Sequence, residues 1–88
     1  MLKITRDSLS GAPRLRLEGR LAGPWVEELR SLLGRPAGRI LLDLGAVTYV
    51  DRGGERLLRA LLGREDVQVT ASSTFVSELL RGGEKPSP

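Results

Sequence analysis

The residues best placed for chemistry in this chain lie in the turn Asp51-Arg52-Gly53-Gly54, which separates an apolar, strand-like run from a leucine-rich helix. An Asp at such a corner can accept hydrogen bonds from backbone N–H groups of the helix that follows it. Free N–H groups at a helix start can also bind an anion, and ligands of open α/β sheets bind beyond the carboxyl ends of the strands. This corner is therefore the first candidate for a binding site.

Two residue types that often carry catalysis are missing, because the sequence contains no His and no Cys. Their absence excludes disulfides, thiolate nucleophiles and cysteine–metal sites, and it removes the commonest general base at neutral pH. Asp43, Asp51 and Glu55 form an imaginable metal cluster, but their spacing matches no metal motif. The glycines also lack the spacing of a phosphate-binding P-loop. We therefore predict a protein that is not an enzyme and that needs no metal and no cofactor.

The composition indicates one small domain with an aliphatic core. The 88 residues are 40% hydrophobic and 28% charged, and only Trp25, Tyr49 and Phe75 are aromatic. The net charge of +3 raises the question of an anionic partner, such as nucleic acid or an anionic membrane. However, the arginines are spread along the chain beside acids and lack interleaved aromatic residues. We therefore expect no specific binding of nucleic acid.

The N-terminal stretch is short and polar, without the apolar region of a signal peptide. No apolar run approaches the ~20 residues that are needed to span a bilayer. These two features predict a cytoplasmic protein that does not insert into membranes. Residues 1–83 are expected to form the domain, and residues 84–88 a flexible tail.

Hydrophobic patterning predicts four strands, the first two joined by a turn at Ser8–Pro13. Leucines alternate with charged residues in the second strand, as in a strand with one solvated face. The third strand is almost continuously apolar, which is typical of a strand buried on both faces with helices over it. The predicted strands are Leu2–Arg6, Arg14–Gly19, Arg39–Leu44 and Val67–Ser72.

Three amphipathic helices are predicted between and after the strands. The first begins at Pro24 and ends at Gly34 and Pro36, the second follows Asp51, and the third has a Ser or Thr cap and ends at Gly82. The order β-β-α-β-α-β-α predicts an α/β fold with a mixed, partly parallel sheet of about four strands flanked by helices. The predicted buried stripes are Val26, Leu29, Leu32 and Leu33, then Leu57, Leu58, Leu61 and Leu62, then Phe75, Val76, Leu79 and Leu80.

Three segments, in this order, resemble the STAS domain, the module of anti-sigma factor antagonists and of sulphate-transporter cytoplasmic tails. They are Leu15–Leu33, Ile40–Leu62, and Val67–Ser73 with its following helix. The middle segment carries the pattern Leu-Asp-Leu-small-x-Val-x-x-Val-Asp-x-x-Gly. The resemblance covers nearly the whole chain and implies a STAS-like fold, in the manner of small stand-alone bacterial members of the family.

The sequence departs from the family at the residue that matters most for regulation. In family antagonists, the Ser or Thr directly after the Asp is phosphorylated by the anti-sigma kinase, which switches the partner interaction off. Here Asp51 and Gly54 match, but Arg52 stands at the phosphorylated position, and Ala22 stands where the family often has Asp. Arg52 puts a permanent positive charge where phosphorylation would add about −2. Release of a partner by phosphorylation at this position is therefore not expected.

The resemblance implies a non-catalytic protein–protein interaction module with an anti-sigma-factor-like, kinase-like or transporter-associated partner. Two alternatives stay open: a domain that binds a nucleotide or another anionic small ligand, and an adaptor subunit of a transporter complex. The expected contact residues are Asp51, Arg52, Gly53, Gly54, Glu55, Arg56 and Arg59.

Two further possibilities concern regulation and assembly. A hydroxyl other than the one at the family position could be phosphorylated, and the candidates are Thr48, Ser72, Ser73 and Thr74. The large ring of Trp25 lies near a helix start, where it can pack in the core or lie at an interface. A homodimer is therefore also considered.

Overall fold

The computed structural model describes residues 1–33 and 38–83. It confirms the order β-β-α-β-α-β-α and a mixed sheet of four strands that lie in chain order. The first two strands are antiparallel, and the second, third and fourth are parallel. In chain order the elements are β1 (Leu2–Leu9), β2 (Ala12–Leu21), α1 (Pro24–Leu32), β3 (Ile40–Val50), α2 (Arg52–Leu62), β4 (Val67–Ser72) and α3 (Thr74–Gly83).

The hairpin turn is shorter than the predicted Ser8–Pro13, because β1 and β2 continue into that segment. Only Ser10 and Gly11 lie between the strands, and both have positive φ, 54° and 84°. Two-residue hairpin loops favour this backbone because its twist matches that of the strands. Pro13 lies inside β2, where its missing N–H is tolerated because pairing with β3 begins only at Arg14.

The two faces of the sheet differ in what covers them. The alternation predicted for β2 is confirmed, with Leu15 and Leu17 buried and Arg16 exposed on the other face. All three helices contribute to one buried cluster on the leucine face. The prediction of helices over both faces of the third strand is therefore wrong for the described residues. Leu41 is buried apart from that cluster, between its register neighbours Arg14 and Gln68 on the opposite face.

The third strand is longer than predicted, since it runs on from Leu44 to Val50. The predicted strand Arg39–Leu44 puts Asp43 next to its end, whereas in the structure Asp43 lies inside β3. Its carboxylate accepts a hydrogen bond from the Gly45 N–H at 2.9 Å and lies 3.5 Å from the Arg16 guanidinium on β2. Asp43 is thus an ion-paired residue in the middle of the sheet.

The helices begin where the sequence predicts. Pro24 starts α1, and the predicted terminators Gly34 and Pro36 lie outside the described residues, as does the tail 84–88. The prediction that Leu62 and Phe75 are buried is wrong, because Leu62 is 43% exposed and Phe75 is 37% exposed. Leu62 is the last residue of α2, and Phe75 packs against an exposed tyrosine instead of the core.

The remaining stripe residues face the core. Leu32, Leu79 and Leu80 are half-buried and pack against the buried cluster, and Trp25 does the same. The core is therefore aliphatic, as the composition predicts. In the described part of the chain, each helix falls short of the length and apolarity that a membrane crossing needs.

Candidate functional site at the carboxyl end of the sheet

The corner forms where β2 and β3 end side by side. Leu21 pairs with Val50 in the last register position, and the Asp51 N–H donates to the Leu21 carbonyl oxygen at 3.2 Å. The chain turns into α1 after Gly23 and into α2 after Asp51. Two helix starts are thereby placed together at the carboxyl end of the parallel strands.

Asp51 holds this corner with both of its carboxylate oxygens. Oδ1 accepts from the Gly54 N–H at 2.8 Å, which confirms the predicted helix cap, and Oδ2 accepts from the Gly23 N–H at 3.0 Å. These N–H groups, that of Gly54 first and that of Gly23 second, hold the pKa of Asp51 below its usual range. The Gly23 contact was not predicted, because it joins residues 28 positions apart.

The two glycines of the turn have different roles. Gly54 is buried, and a Cβ there would lie 2.6 Å from the Leu21 carbonyl oxygen and 2.8 Å from Cγ1 of Val50. Gly53 is exposed, and a Cβ there would make ordinary contact with Val26, at 3.8 Å. Tight packing is therefore found at Gly54 and not at Gly53.

The charged residues of α2 divide into two pairs. Arg52 and Arg56 are exposed, and neither forms a salt bridge within the described residues. Glu55 and Arg59 are half-buried and form a salt bridge at 2.9 Å. Arg59 also donates to two carbonyl oxygens near the end of α3, at 3.3 and 3.4 Å. Arg59 and Glu55 therefore join α2 to α3, while Arg52 and Arg56 face outward.

The chemistry of the corner disfavours an anion or a metal. The Asp51 carboxylate already accepts a hydrogen bond from the Gly54 N–H in the first turn of α2. Its negative charge repels a second anion at these N–H groups. Asp43 and Glu55 are each used in a salt bridge with an arginine. Across residues 1–33 and 38–83, no group of three or more acidic residues is arranged to hold a metal ion.

Two clefts of the described residues lie away from the corner. One is lined by Arg14, Leu33 and Ile40 among others, and the second by Leu9, Leu41 and others on the open sheet face. Their volumes are about 210 and 240 Å³, below the ~300–1,000 Å³ that is typical of small-molecule sites. These shallow clefts give little support to a pocket that encloses a nucleotide.

A cluster of Arg20, Tyr49 and Phe75, here called the aromatic cluster, lies at the same end of the sheet and was missed by the sequence reasoning. The ring centroids of Tyr49 and Phe75 are 5.8 Å apart, and Cζ of Arg20 lies 4.6 Å from the Tyr49 ring centroid. Both aromatic residues are 37% exposed. Had β3 been predicted at its full length, the alternation of buried and exposed residues along it could have revealed Tyr49 as an exposed aromatic residue.

The alternative phosphorylation candidates are spread over different environments. Thr48 is exposed, and its Oγ1 donates to the Gly19 carbonyl oxygen at 3.1 Å. Oγ of Ser73 accepts from the Val76 N–H at 3.1 Å and so caps α3. Ser72 and Thr74 are exposed. The hydroxyl of Ser73 therefore has a structural role as the cap of α3.

The fold and the corner define a small α/β protein with a mixed four-stranded sheet and a capped, outward-facing helix start. Comparison with known proteins adds no family to this description, since no family model and no curated protein matches the chain. The STAS resemblance therefore stays a prediction.

Proposed function

We propose that this chain is a STAS-like, non-catalytic protein–protein interaction module that docks a partner through the Asp51 corner and the exposed side of α2. The observation that carries the proposal is the contrast between two neighbouring residues. Asp51 uses both carboxylate oxygens to hold the corner, whereas Arg52 is exposed and forms no salt bridge within the described residues. A rigid corner thus presents a cation to solvent.

The topology supports the proposal. The chain begins with an antiparallel hairpin, continues in parallel strands, and places the Asp at the junction of the third strand and the second helix. Asp51 is also the residue that matches the Asp of the STAS-like sequence pattern. The capped helix start gives the partner a fixed surface, which lowers the entropic cost of docking.

Under this proposal, Arg52 makes the interaction independent of phosphorylation at the family position. Its guanidinium stays charged at all physiological pH values and has no hydroxyl to accept a phosphoryl group. Arg56 lies one turn further along α2, so that both cations can contact the same partner. The partner is an anti-sigma-factor-like, kinase-like or transporter-associated protein. If the partner is a transporter subunit, this chain acts as an adaptor of the transporter complex. Glu55 and Arg59 act indirectly, by fixing α3 against α2.

Affinity capture from native lysate, with and without ATP, tests the proposal. The variant is Arg52→Glu with Arg56→Glu, and its control is Arg6→Glu with Arg39→Glu, which makes the same charge change at exposed positions away from the corner. We expect the wild type and the control to recover the same ATPase, sigma-regulatory protein or transporter subunit, and the corner variant to lose it. If the corner variant retains every partner, the proposal is wrong.

A further inference from the structure

We propose that the aromatic cluster is the centre of the docking surface and that it binds an acidic protein segment carrying an apolar side chain. This inference rests on the proposed function and adds the chemistry of the partner to it. The cluster consists of Arg20, Tyr49 and Phe75. Tyr and Arg are among the residues that most often dominate the energy of protein interfaces.

The cluster is preformed, and its two rings lie outside the buried core. The tilted rings of Tyr49 and Phe75, at 5.8 Å and 46°, support each other, and Arg20 holds the Tyr49 ring from β2. Neither aromatic residue belongs to the buried core. Because neighbours already restrict the Tyr49 ring, a partner loses little side-chain entropy by binding it.

The cluster is continuous with the Asp51 corner. Arg20 and Tyr49 are register partners, and the next pair in the ladder is Leu21 and Val50. Asp51 then donates its N–H to the Leu21 carbonyl oxygen. A partner that binds both must therefore extend around this end of the sheet, from the open face to the start of α2.

Charge identifies the partner as acidic. Arg20 and Arg52 form no salt bridge within the described residues, and the oxygens of the nearby Asp51 are taken by backbone N–H groups. The two guanidinium groups are therefore free to pair with carboxylates of a partner. A second copy of this chain fits this surface poorly, because a two-fold contact would bring these arginines toward their own counterparts.

A nucleic acid also fits poorly, because within residues 1–33 and 38–83 no row of free cations leads away from the cluster along the sheet. The next arginines on the open face are engaged by acids: Arg14 lies 2.8 Å from Asp7, and Arg16 lies 3.5 Å from Asp43. Binding of a single strand needs a positive groove that follows the phosphate backbone. A protein segment needs only the local combination of cation and apolar surface that is present here.

Amide chemical-shift mapping of the full ¹⁵N-labelled chain tests the inference with four probes. They are a synthetic peptide with one Leu among Asp and Glu residues, the same peptide with Lys for each acid, the acidic peptide without the Leu, and oligo(dT). We expect the acidic Leu peptide to shift the amides of Arg20, Tyr49 and Phe75 and to bind more tightly than the other three. Shifts confined to another surface, no binding, or tighter binding of oligo(dT) or the Lys peptide at the cluster would overturn it.

Variants separate the role of the ring from that of the fold. Tyr49→Ala and Arg20→Glu should each weaken binding of the acidic Leu peptide at least about tenfold, whereas Tyr49→Phe should retain it. Leu9→Ala is the matched control, because Leu9 is an exposed apolar residue at the hairpin, 43% exposed, away from the cluster. An unchanged affinity of Tyr49→Ala, with an otherwise native spectrum, would contradict the inference.

The same variants distinguish failure of this inference from failure of the proposed function. If a captured protein is lost by Arg52→Glu with Arg56→Glu but kept by Tyr49→Ala, the inference is wrong and the proposed function stands. If both variants lose it, both proposals are supported. If Tyr49→Ala alone loses it, the cluster is the docking centre and the role of α2 is wrong.

Discussion

The two ends of the sheet use their carboxylates differently. At the amino end of the parallel strands, Asp7 binds Arg14 at 2.8 Å and Asp66 binds Arg64 at 2.7 Å. At the carboxyl end, Asp51 binds backbone N–H groups instead of a side chain. Both arrangements keep the aspartate ionised, but only at the amino end does an arginine side chain neutralise its charge.

The difference shows how one small domain can be held together and still present charge. The amino end uses arginines within the molecule, and Arg64 additionally donates to the Leu33 carbonyl oxygen at the end of α1. The carboxyl end is held by a cap and by close backbone packing at Gly54. Arg20 and Arg52 can therefore pair with a partner there without breaking a salt bridge of the described residues.

The largest expected effect is that of Gly54→Ala, which tests whether the carboxyl end depends on backbone packing. The added Cβ would lie 2.6 Å from the Leu21 carbonyl oxygen, so we expect a loss of about 2–3 kcal/mol in unfolding free energy, measured by urea denaturation. At the hairpin, Gly11→Ala has open space but a φ of 84° and should cost about 1–2 kcal/mol.

The matched control for Gly54→Ala is its neighbour. Gly53→Ala makes only ordinary contacts in the first turn of α2, and replacing a helical glycine gains up to about 1 kcal/mol. If Gly54→Ala is no less stable than Gly53→Ala, the description of the corner is wrong.

The next largest effect is a fall in melting temperature, and its dependence on salt distinguishes the helix cap of Asp51 from the ion pair of Asp66. Asp51→Ala should lower the melting temperature by several degrees, and Asp51→Asn by less, because Asn also caps helices well. Asp66→Ala should lower it through loss of the Arg64 pair, whose contribution is screened in about 1 M NaCl. The loss in Asp51→Ala should persist at that salt concentration, because its hydrogen-bond donors are neutral. Equal salt sensitivity of the two losses would contradict the comparison.

A smaller effect appears in acid. Hydrogen bonds from Gly54 and Gly23 lower the pKa of Asp51, and hydrogen bonds from Arg64 and Arg14 lower those of Asp66 and Asp7. Each lowered pKa stabilises the fold above the unfolded-state value of about 3.9, and that contribution is lost as the pH falls toward the folded-state value. Stability should therefore be flat near neutrality and decrease below about pH 4.

Asp51→Asn and Asp66→Asn provide the check in acid unfolding monitored by circular dichroism. Each should show a shallower loss of stability with falling pH than the wild type, since each has one fewer carboxylate to protonate. Slopes that match the wild type in both variants would show that these hydrogen bonds are not maintained in solution.

The smallest effect on stability is expected for Arg52→Glu. Arg52 is exposed and opens α2, where a negative charge is more favourable than a positive one. The unfolding free energy should stay within about 0.5 kcal/mol of the wild type, with a slight gain. A clear loss in urea denaturation would show that Arg52 supports the fold, and it would weaken the contrast with Asp51.

Local patterns made much of the fold predictable from sequence. The helix start at Pro24, the Asp51 cap and the strand Val67–Ser72 are each specified by residues within a few positions, and all three are confirmed. The length of β3 was missed because Gly45 and Ala46 interrupt its apolar run, although pairing with β2 continues to Val50.

The site was harder to predict because its key contacts are non-local. The bond between Asp51 and Gly23, and the packing of Arg20 with Tyr49 and Phe75, join segments that only the sheet register brings together. Phe75 in particular follows the helical stripe of α3 and yet packs outside the core. Periodicity states which face of a helix a residue occupies, and it does not state where the core ends.

The most direct test of the central claim is a calorimetric titration of the purified partner, as recovered with the wild-type chain, into Arg52→Glu and into Arg39→Glu. We expect Arg52→Glu to bind at least about tenfold more weakly than the wild type while remaining equally stable, and Arg39→Glu to bind like the wild type. Equal dissociation constants for the wild type and Arg52→Glu would contradict docking through the corner.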